Sequence, residues 1–381
     1  MIFCLPYILV LRYYFDTILP EGSRMEPVAV ARSASPAQPT IPTSRWQRVG
    51  PIVALLMLAP VIAEVLPGFT RVSMIFVVIP EVMTWGCGAL LIRECTRRWR
   101  KRWPAMLLLG LALAVAEEWV IQQTSIAPLT GLARQAYGRF WGVNWVYFLW
   151  ALGYESVWVA LVPVQLTELL FPDRRRSCWL KPRGLVIACF VFVLGAFMAW
   201  YGWTQRARVK IFHMPPYSPP PLYILSAIVA VVLLILLAHR LPYSQSLEKQ
   251  ANVSRAPSAE IVGLTITILG SPWVAFVALA FGWVPGAPVP FVLIGGLTWC
   301  VLTLFLIQRW TLSRDWSDDH RFALVFGGVL AGVVGGFAVF KTGGALRIDW
   351  IGKAVIDAAA IFGLFRVRAG MKSRNSGASA L

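Results

Sequence analysis

The sequence predicts an all-α fold, a polytopic transmembrane helical bundle of about ten spans with both termini in the cytoplasm. Hydrophobic residues make up 58% of the chain and charged residues only 14%. Apolar runs of about 18 to 25 residues recur along it, and clusters of Lys and Arg fall in every second loop. The net charge of +17 would suggest nucleic acid in a soluble chain. Here membrane topology explains the charge, so the lipid bilayer is the expected partner and nucleic acid is not.

Ten apolar runs are long enough to be spans, and the last is the weakest because charges interrupt it. They cover residues 49–67, 72–92, 103–127, 143–171, 184–203, 221–238, 260–282, 288–308, 322–340 and 348–365. The basic loops follow the second, fourth, sixth, eighth and tenth runs. Because such loops stay in the cytoplasm, a multi-pass protein of a bacterial-type inner (plasma) membrane is expected.

The segments outside the spans predict the organisation of the chain. Residues 1–48 read as a flexible cytoplasmic leader, in which translation is expected to start at Met25. Residues 209–222 contain five prolines and predict a stiff external connector. This connector separates a first transmembrane half (49–208) from a second half (223–366), and a cytoplasmic tail (367–381) follows. The cysteines form no CxxC pair and have no nearby histidine, so neither a metal nor another cofactor is expected.

Two adjacent carboxylates, Glu117 and Glu118, lie inside the third apolar run. A charged carboxylate in the bilayer persists only where it faces protein, a partner or water. Helix rise places the pair roughly 21 Å along the third span, and places Glu155 roughly 18 Å along the oppositely directed fourth span. The three carboxyl groups are therefore expected to share one polar cavity between these spans. Gln122 lies one turn after Glu118 and could hydrogen-bond to its carboxyl group. In such a crowded site at least one of the three glutamates is expected to carry a proton.

Three stretches, WGCGALLIREC (85–95), LLLGLALAVAEEWVIQQ (107–123) and YESVWVALVPVQLTELLFP (154–172), resemble a group of uncharacterised bacterial multi-span membrane proteins. In that group the position of Glu155 is more often a histidine, and the resemblance implies no activity.

The spacing Glu117-Glu118-x-x-x-Gln122 also resembles the first motif of the CAAX-protease and bacteriocin-processing (CPBP) family of intramembrane proteases, whose glutamates and histidines activate a water. The second motif of that family, Phe-x-x-x-His, has no match, because Leu152 lies four residues after Phe148. If the resemblance extends to activity, the candidate catalytic residues are Glu117, Glu118, Gln122 and Glu155.

Three functions therefore stay open at the level of sequence. The first is a membrane protein of unidentified role, in which the glutamates hold spans three and four together. The second is a degenerate intramembrane peptidase, and the third is a proton-coupled or small-solute transporter, since titratable groups near the midplane suit alternating access. The protein is not expected to be an enzyme unless it is such a peptidase. A homo-oligomer or an unknown membrane partner is compatible with each of them.

Other charged residues and glycines predict packing. Arg93 and Glu94 are expected at the membrane interface, with the arginine snorkelling toward water, and Glu168 is expected to pair with an arginine. Asp349, Lys353 and Asp357, four residues apart, predict a self-neutralising ladder on one helix face. Gly328, Gly332 and Gly336 form a stripe that would let another helix approach closely.

Overall fold

The computed structural model describes residues 44–128, 137–211, 213–242, 255–281, 284, 286–342 and 345–378. Within these residues nine helices are long and apolar enough to cross a membrane. They are α1 (Arg45–Val65), α2 (Val72–Arg98), α3 (Trp103–Ile121), α4 (Trp145–Leu170), α5 (Pro182–Lys210), α6 (Pro221–Arg240), α7 (Ala259–Ala280), α8 (Val289–Thr311) and α9 (Asp318–Phe340). A further helix, α10 (Arg347–Ala378), follows, and two short strands, β1 (Arg139–Phe140) and β2 (Val143–Asn144), form a hairpin before α4. The protein is therefore an all-α, multi-pass membrane protein.

Pro51–Leu381 forms one compact unit, and all contacts described below lie within it; of Met1–Gly50 the structure describes only Ser44 and the first residues of α1. Residues 1–43 of the predicted leader, with the proposed start at Met25, lie outside the described residues, and residues 45–48 belong to α1. The third span ends at Ile121, earlier than predicted, because Gln123 adopts a left-handed backbone (φ 62°) that turns the chain back.

The predicted basic loops meet at one end of the bundle. Lys101, after α2, donates a hydrogen bond of 2.5 Å to the carbonyl oxygen of Leu241, after α6. Arg175, after α4, forms a 2.6 Å ion pair with Asp318 at the start of α9. We call this end of the bundle the basic end. The shared location agrees with the predicted alternation of the spans, while its assignment to the cytoplasm stays a prediction.

The loops after the odd-numbered spans meet at the opposite end. Arg208, near the end of α5, donates a hydrogen bond of 2.7 Å to the carbonyl oxygen of Pro128 in the loop after α3. The amide of Asn144, in β2, donates a hydrogen bond of 3.1 Å to the carbonyl oxygen of Ala280 at the end of α7. The β-hairpin therefore packs where the predicted external loops come together.

The tenth predicted span is a helix that runs from one end of the bundle to the other. At its start Asp349 accepts a 2.9 Å hydrogen bond from the backbone N–H of Ser73, at the opposite end. Near its finish Arg374 donates a 3.3 Å hydrogen bond to the carbonyl oxygen of Leu169, in the last turn of α4 at the basic end. Helix α10 thus traverses the bundle although it is more polar than the nine other helices.

The predicted charge ladder on α10 forms only in part. Lys353 pairs with Asp357 at 2.9 Å and also donates a 2.6 Å hydrogen bond to the carbonyl oxygen of Leu66. Asp349 does not join this pair, because its carboxylate accepts hydrogen bonds from the backbone N–H groups of Ser73 and Leu346 instead. The three side chains are buried, as expected for a structural helix that packs on the bundle.

Helix α9 lies unusually close to its neighbours because of its glycines. A Cβ atom on Gly327 would lie 2.5 Å from the carbonyl oxygen of Gly263 in α7, and one on Gly336 would lie 2.8 Å from Pro67. The predicted stripe of Gly328, Gly332 and Gly336 does allow a close approach, but it faces α4 and Pro67. The contact with α7 uses the neighbouring face of α9.

Candidate functional site

Each of the first four spans contains a π-helical turn with a glutamate in it or directly before it. The turn lies inside α2 and α4 and is the last turn of α1 and α3, and a further π-helical stretch in α5, Tyr201–Ala207, has no glutamate. The turns of the first four spans are Val61–Val65, Val82–Gly86, Glu117–Ile121 and Glu155–Leu161. Their glutamates are Glu64, Glu81, Glu117, Glu118 and Glu155, which we call the glutamate cluster. A π-helical turn shifts the residues after it by one position around the helix, and such turns are frequent at functional sites. The repetition of this feature in four neighbouring spans singles out this region of the bundle.

A close approach of α3 and α4 brings their glutamates together. A Cβ atom on Gly110 would lie 3.0 Å from the Cα atom of Ser156, so only glycine fits this contact comfortably. Gly110 precedes Glu117 by two helical turns and therefore lies on the same face of α3, while Ser156 directly follows Glu155. This close contact between α3 and α4 therefore lies next to the glutamates of both helices.

Glu118 is the member of the glutamate cluster that Ser125 holds in place by hydrogen bonds. One of its carboxyl oxygens accepts hydrogen bonds from the backbone N–H (2.9 Å) and the hydroxyl group (2.6 Å) of Ser125. Its carboxyl group lies beside that of Glu155, within reach of a hydrogen bond between the two. Two carboxyl groups can form such a bond only if a proton lies between them. Glu118 and Glu155 can therefore share a hydrogen bond only while one of them carries a proton.

Gln122 does not take the predicted place beside Glu118. The π-helical turn Glu117–Ile121 adds a residue to the turn, so Gln122 donates its backbone N–H to the carbonyl oxygen of Glu117. No hydrogen bond joins the Gln122 side chain to Glu118 among the described residues. Ser125 reaches the carboxyl group instead, because the chain reverses at Gln123. A straight helix, as assumed from sequence, would have left Ser125 too far along the axis.

Glu117 is buried with neither carboxyl oxygen hydrogen-bonded. Its side chain is 1% exposed, and both oxygens lack a partner among the described residues. The charged group that interacts electrostatically with it is Glu118. A buried acceptor without a donor is costly, and a carboxylate without a counter-charge is more so. The Glu117 carboxyl group is therefore less costly to bury in its neutral, protonated form than as a carboxylate.

Two further glutamates join the three that sequence reasoning grouped. Glu64 in α1 lies close enough to Glu81 and Glu117 for a direct electrostatic interaction, and it also acts on Glu155. Glu81 is buried and accepts a short hydrogen bond from the hydroxyl group of Thr70. Both are acidic residues inside the first two apolar runs. The only signal that could have placed them here is the depth of each residue along its own span.

An aromatic column lines one side of the glutamate cluster. The rings of Trp150, Tyr154 and Trp158, one turn apart on α4, stack with centroids 4.8 and 5.2 Å apart. Tyr154 donates a 2.5 Å hydrogen bond to the carbonyl oxygen of Ala63, within the π-helical turn of α1. The Trp158 indole donates one of 2.9 Å to the carbonyl oxygen of Gly328. These bonds fix α4 against α1 and α9 and so fix the position of Glu155.

The second polar layer, at the basic end, differs from the prediction. Arg93 does not snorkel: it is fully buried, with its guanidinium 3.6 Å from the ring centre of Trp179. It bonds Glu94 at 2.8 Å and Glu168 at 3.2 Å, and two backbone carbonyl oxygens of the loop after α4 accept its remaining hydrogen bonds. Glu168 also pairs with Arg97, which confirms that it binds arginine. Here arginine balances the charges of the glutamates. Among the described residues, no arginine or lysine forms an ion pair with the glutamate cluster.

The contacts of His239 and His320 do not involve the glutamate cluster. His239 packs against Trp99 at the basic end, and His320 hydrogen-bonds Ser317 and the carbonyl oxygen of Pro257. Within the described part of the chain, no group of three or more His, Cys, Asp or Glu side chains is arranged to hold a metal ion. The cluster is thus an assembly of carboxyl groups, hydroxyl groups and aromatic rings.

Comparisons with protein families, with curated proteins and with solved structures find no match to this chain.

Proposed function

We propose that this multi-pass membrane protein is a proton-coupled carrier of the inner (plasma) membrane, and that the glutamate cluster is its proton-binding site. One observation carries the proposal: glutamates from four neighbouring spans meet in the bundle core, and the charged groups that act most strongly on them are other glutamates. Such an arrangement is costly and persists where it serves the movement of charge.

Charge balance supports protons as the bound species. Two unit charges 4 Å apart interact by about 4 kcal/mol at an effective dielectric constant near 20, so several ionised neighbours would repel one another strongly. Arginine relieves this repulsion around Glu168 at the basic end. In the glutamate cluster, the adjacent carboxyl groups of Glu118 and Glu155 can form a hydrogen bond with each other when one of them binds a proton. The cluster therefore suits reversible proton binding better than permanent charge.

The depth of the cluster also suits a carrier. Glu155 lies ten residues after the start of α4, about 15 Å along the helix and near the middle of a bilayer. Carriers bind substrates and coupling ions near the midplane, at helices whose regular hydrogen bonding is interrupted. The π-helical turns inside α2 and α4 supply such interruptions.

The experiment is a proton-flux measurement on purified protein in liposomes that contain a pH-sensitive dye. After a pH step, the unsubstituted protein should equilibrate the interior, and Glu118→Gln should lose most of this flux. Glu260→Gln is the matched control, because Glu260 lies at the start of α7 with a side chain that is 73% exposed. Flux that is unchanged in Glu118→Gln would contradict the proposal.

A peptidase is the second candidate, and one observation favours it. Glu118 is held by Ser125 and lies beside the carboxyl group of Glu155, which resembles in principle a pair of carboxyl groups that activates a water. Cleavage of a reporter peptide in the same liposomes, dependent on Glu118, would support this function. Absence of both flux and cleavage would favour a structural role for the cluster. A homo-oligomer or a membrane partner stays a prediction under each of these functions.

A further inference from the structure

Two arginines, Arg139 and Arg208, lie next to each other at the end of the bundle opposite the basic end. The guanidinium group of Arg139, in β1, donates hydrogen bonds of 3.1 and 2.8 Å to the carbonyl oxygens of Ile126 and Ala127. The guanidinium group of Arg208, near the end of α5, donates a bond of 2.7 Å to the carbonyl oxygen of Pro128. Because Ala127 and Pro128 are consecutive residues, the two positive charges lie roughly 10 Å apart or closer.

Neither charge is paired with a carboxylate among the described residues, although Arg208 is only 5% exposed. The buried Arg93, by contrast, is paired with Glu94 and Glu168. Backbone carbonyl oxygens satisfy N–H groups but carry no net charge. The positive charge of Arg208 is therefore buried without the counter-charge that makes such burial tolerable.

The stretches of sequence that contain these arginines offer no acidic residue. The chain has no Asp or Glu between Glu118 and Glu155, and none between Asp173 and Glu248. These stretches include the loops after α3 and α5, which meet at this end, and they add further positive charges such as Arg206. An anion from outside the chain is therefore the expected counter-charge.

Both guanidinium groups keep N–H groups for such an anion. Among the described residues, the Nε–H of Arg139 has no acceptor, and Arg208 uses only one N–H of its Nη1. The ring centre of Tyr217 lies 5.8 Å from the guanidinium carbon of Arg208, and both arginines interact electrostatically with the Tyr217 hydroxyl group. Three hydrogen-bond donors from β1, α5 and the loop after α5 therefore come together here.

We propose that Arg139 and Arg208 form a binding site for a phosphate group, with Tyr217 beside it. A phosphate monoester carries about −1.5 to −2 charges near neutral pH, which matches two guanidinium groups. Arginine suits this anion because its planar set of N–H groups can bind two phosphate oxygens at once. The phosphate group belongs either to free phosphate or to a lipid headgroup, since the ends of the spans lie at the level of the headgroups.

A short segment of chain connects this site to the glutamate cluster. Ser125, which binds Glu118, directly precedes the residues whose carbonyl oxygens bind Arg139. If free phosphate is the ligand, it is the substrate of the carrier, and one proton on the glutamate cluster offsets each negative charge that is moved. This choice of substrate rests on the proposed function, whereas the binding site itself does not.

Binding of radiolabelled inorganic phosphate to purified protein in detergent tests the site without transport. The unsubstituted protein should bind it, and Arg139→Gln and Arg208→Gln should each weaken binding about tenfold or more, because a charge-assisted hydrogen bond is lost. Arg206→Gln, at an exposed position of α5, is the matched control and should bind normally. Arg208→Lys keeps the charge and should retain part of the binding. If Arg208→Gln elutes as an aggregate, Arg139→Gln, whose side chain is half-buried, decides the result.

A second arm of the experiment distinguishes the two sources of the phosphate group. Native mass spectrometry measures phosphatidylglycerol that is retained by the protein, with phosphatidylcholine as the control lipid. Retention of phosphatidylglycerol that depends on Arg139 and Arg208, without binding of inorganic phosphate, would support the site and exclude free phosphate as the substrate. Binding of neither probe, or equal binding by the unsubstituted protein and both glutamine variants, would overturn the inference.

Proton flux in phosphatidylcholine liposomes then separates the inference from the proposed function. External phosphate should speed proton entry through the unsubstituted protein, and Arg139→Gln should remove this acceleration. If phosphate binds but no protons enter, the carrier function fails and the phosphate site stands. If protons enter in a Glu118-dependent manner while neither probe binds, the inference fails and the carrier function stands. Binding of phosphate that leaves an existing flux unchanged would overturn its assignment as the substrate.

Discussion

Ser125 is the residue that holds Glu118 in position, and its removal should cost stability. Ser125→Ala deletes the 2.6 Å hydroxyl bond and leaves the buried carboxyl oxygen with only the backbone donor. A lost hydrogen bond to a buried acceptor of this kind costs about 1 to 3 kcal/mol. We expect a lower midpoint of thermal unfolding in detergent. Ser226→Ala is the control, since Ser226 lies on an exposed face of α6 and should leave the midpoint unchanged.

Arg93 joins Glu94 and Glu168 in the buried ion pairs of the basic end. Arg93→Met leaves Glu94 and Glu168 buried beside one another with fewer counter-charges, and breaking a buried ion pair in this way costs about 3 to 5 kcal/mol. Unfolding in detergent should occur at a clearly lower denaturant concentration. Arg176→Met, an exposed position in the same loop, is the matched control. Equal stability of the two variants would contradict the structural role assigned to Arg93.

The residues of the site could be predicted only in part. Glu117, Glu118 and Glu155 were grouped correctly because depth along antiparallel spans follows from chain direction and helix rise. Ser125 was missed because the left-handed Gln123 reverses the chain, and nothing in the sequence requires that conformation. The predicted position of Arg93, with its side chain snorkelling toward water, was wrong. Its partner Trp179 comes from a loop whose path the sequence does not specify.

Among the elements, the contact between α7 and α9 depends on glycine. A Cβ atom on Gly335 would lie 2.7 Å from the carbonyl oxygen of Ser271 and 2.6 Å from the Cβ atom of Val274. Because neither atom is the end of a flexible side chain, Gly335→Ala should separate the helices and destabilise the fold by about 1 to 3 kcal/mol. Thermal unfolding in detergent would measure this change.

The control for this prediction is a glycine without close neighbours. A Cβ atom on Gly363, in α10, would meet no atom within 4 Å. Gly363→Ala should leave stability unchanged or raise it by up to about 1 kcal/mol, since alanine is the better helix former. If both variants were equally stable, the close packing of α7 on α9 would be refuted.

The helices themselves were largely predictable, whereas their irregularities were not. The length of the apolar runs identified every span of α1 to α9, because backbone groups in lipid must be satisfied within a helix. The π-helical turns of α1 to α4 were not predicted, since they depend on contacts such as the bond from Tyr154 to Ala63. Helix α10 was the weakest prediction because charges interrupt its apolar run. The backbone groups of Leu66 and Ser73 that bind Lys353 and Asp349 lie elsewhere in the chain, and the sequence does not indicate them.

At the scale of the whole molecule, Cys178 offers a test of topology. It is exposed in the loop after α4, whereas Cys87 and Cys95 are buried. In a Cys4→Ser background, an impermeant maleimide should label Cys178 in inside-out vesicles and not in intact cells. Partial burial raises the pKa of the Cys178 thiol. Because the thiolate is the reactive form, labelling should become faster as pH rises toward and past that pKa.

Two outcomes of this labelling test carry information about orientation. Cys178→Ser should abolish the signal and so identify the labelled residue. Labelling in intact cells would place the basic end outside the cell and contradict the predicted orientation of the whole bundle.

The central claim is that the glutamate cluster stores protons, and infrared spectroscopy measures this most directly. A protonated carboxyl group has a carbonyl stretch that is distinct from the bands of a carboxylate and sensitive to deuterium exchange. The account predicts this band in the unsubstituted protein and in Glu260→Gln at neutral pH, and its reduction in Glu118→Gln and Glu155→Gln. A spectrum without protonated carboxyl groups at neutral pH, from protein shown to be folded, would contradict the account.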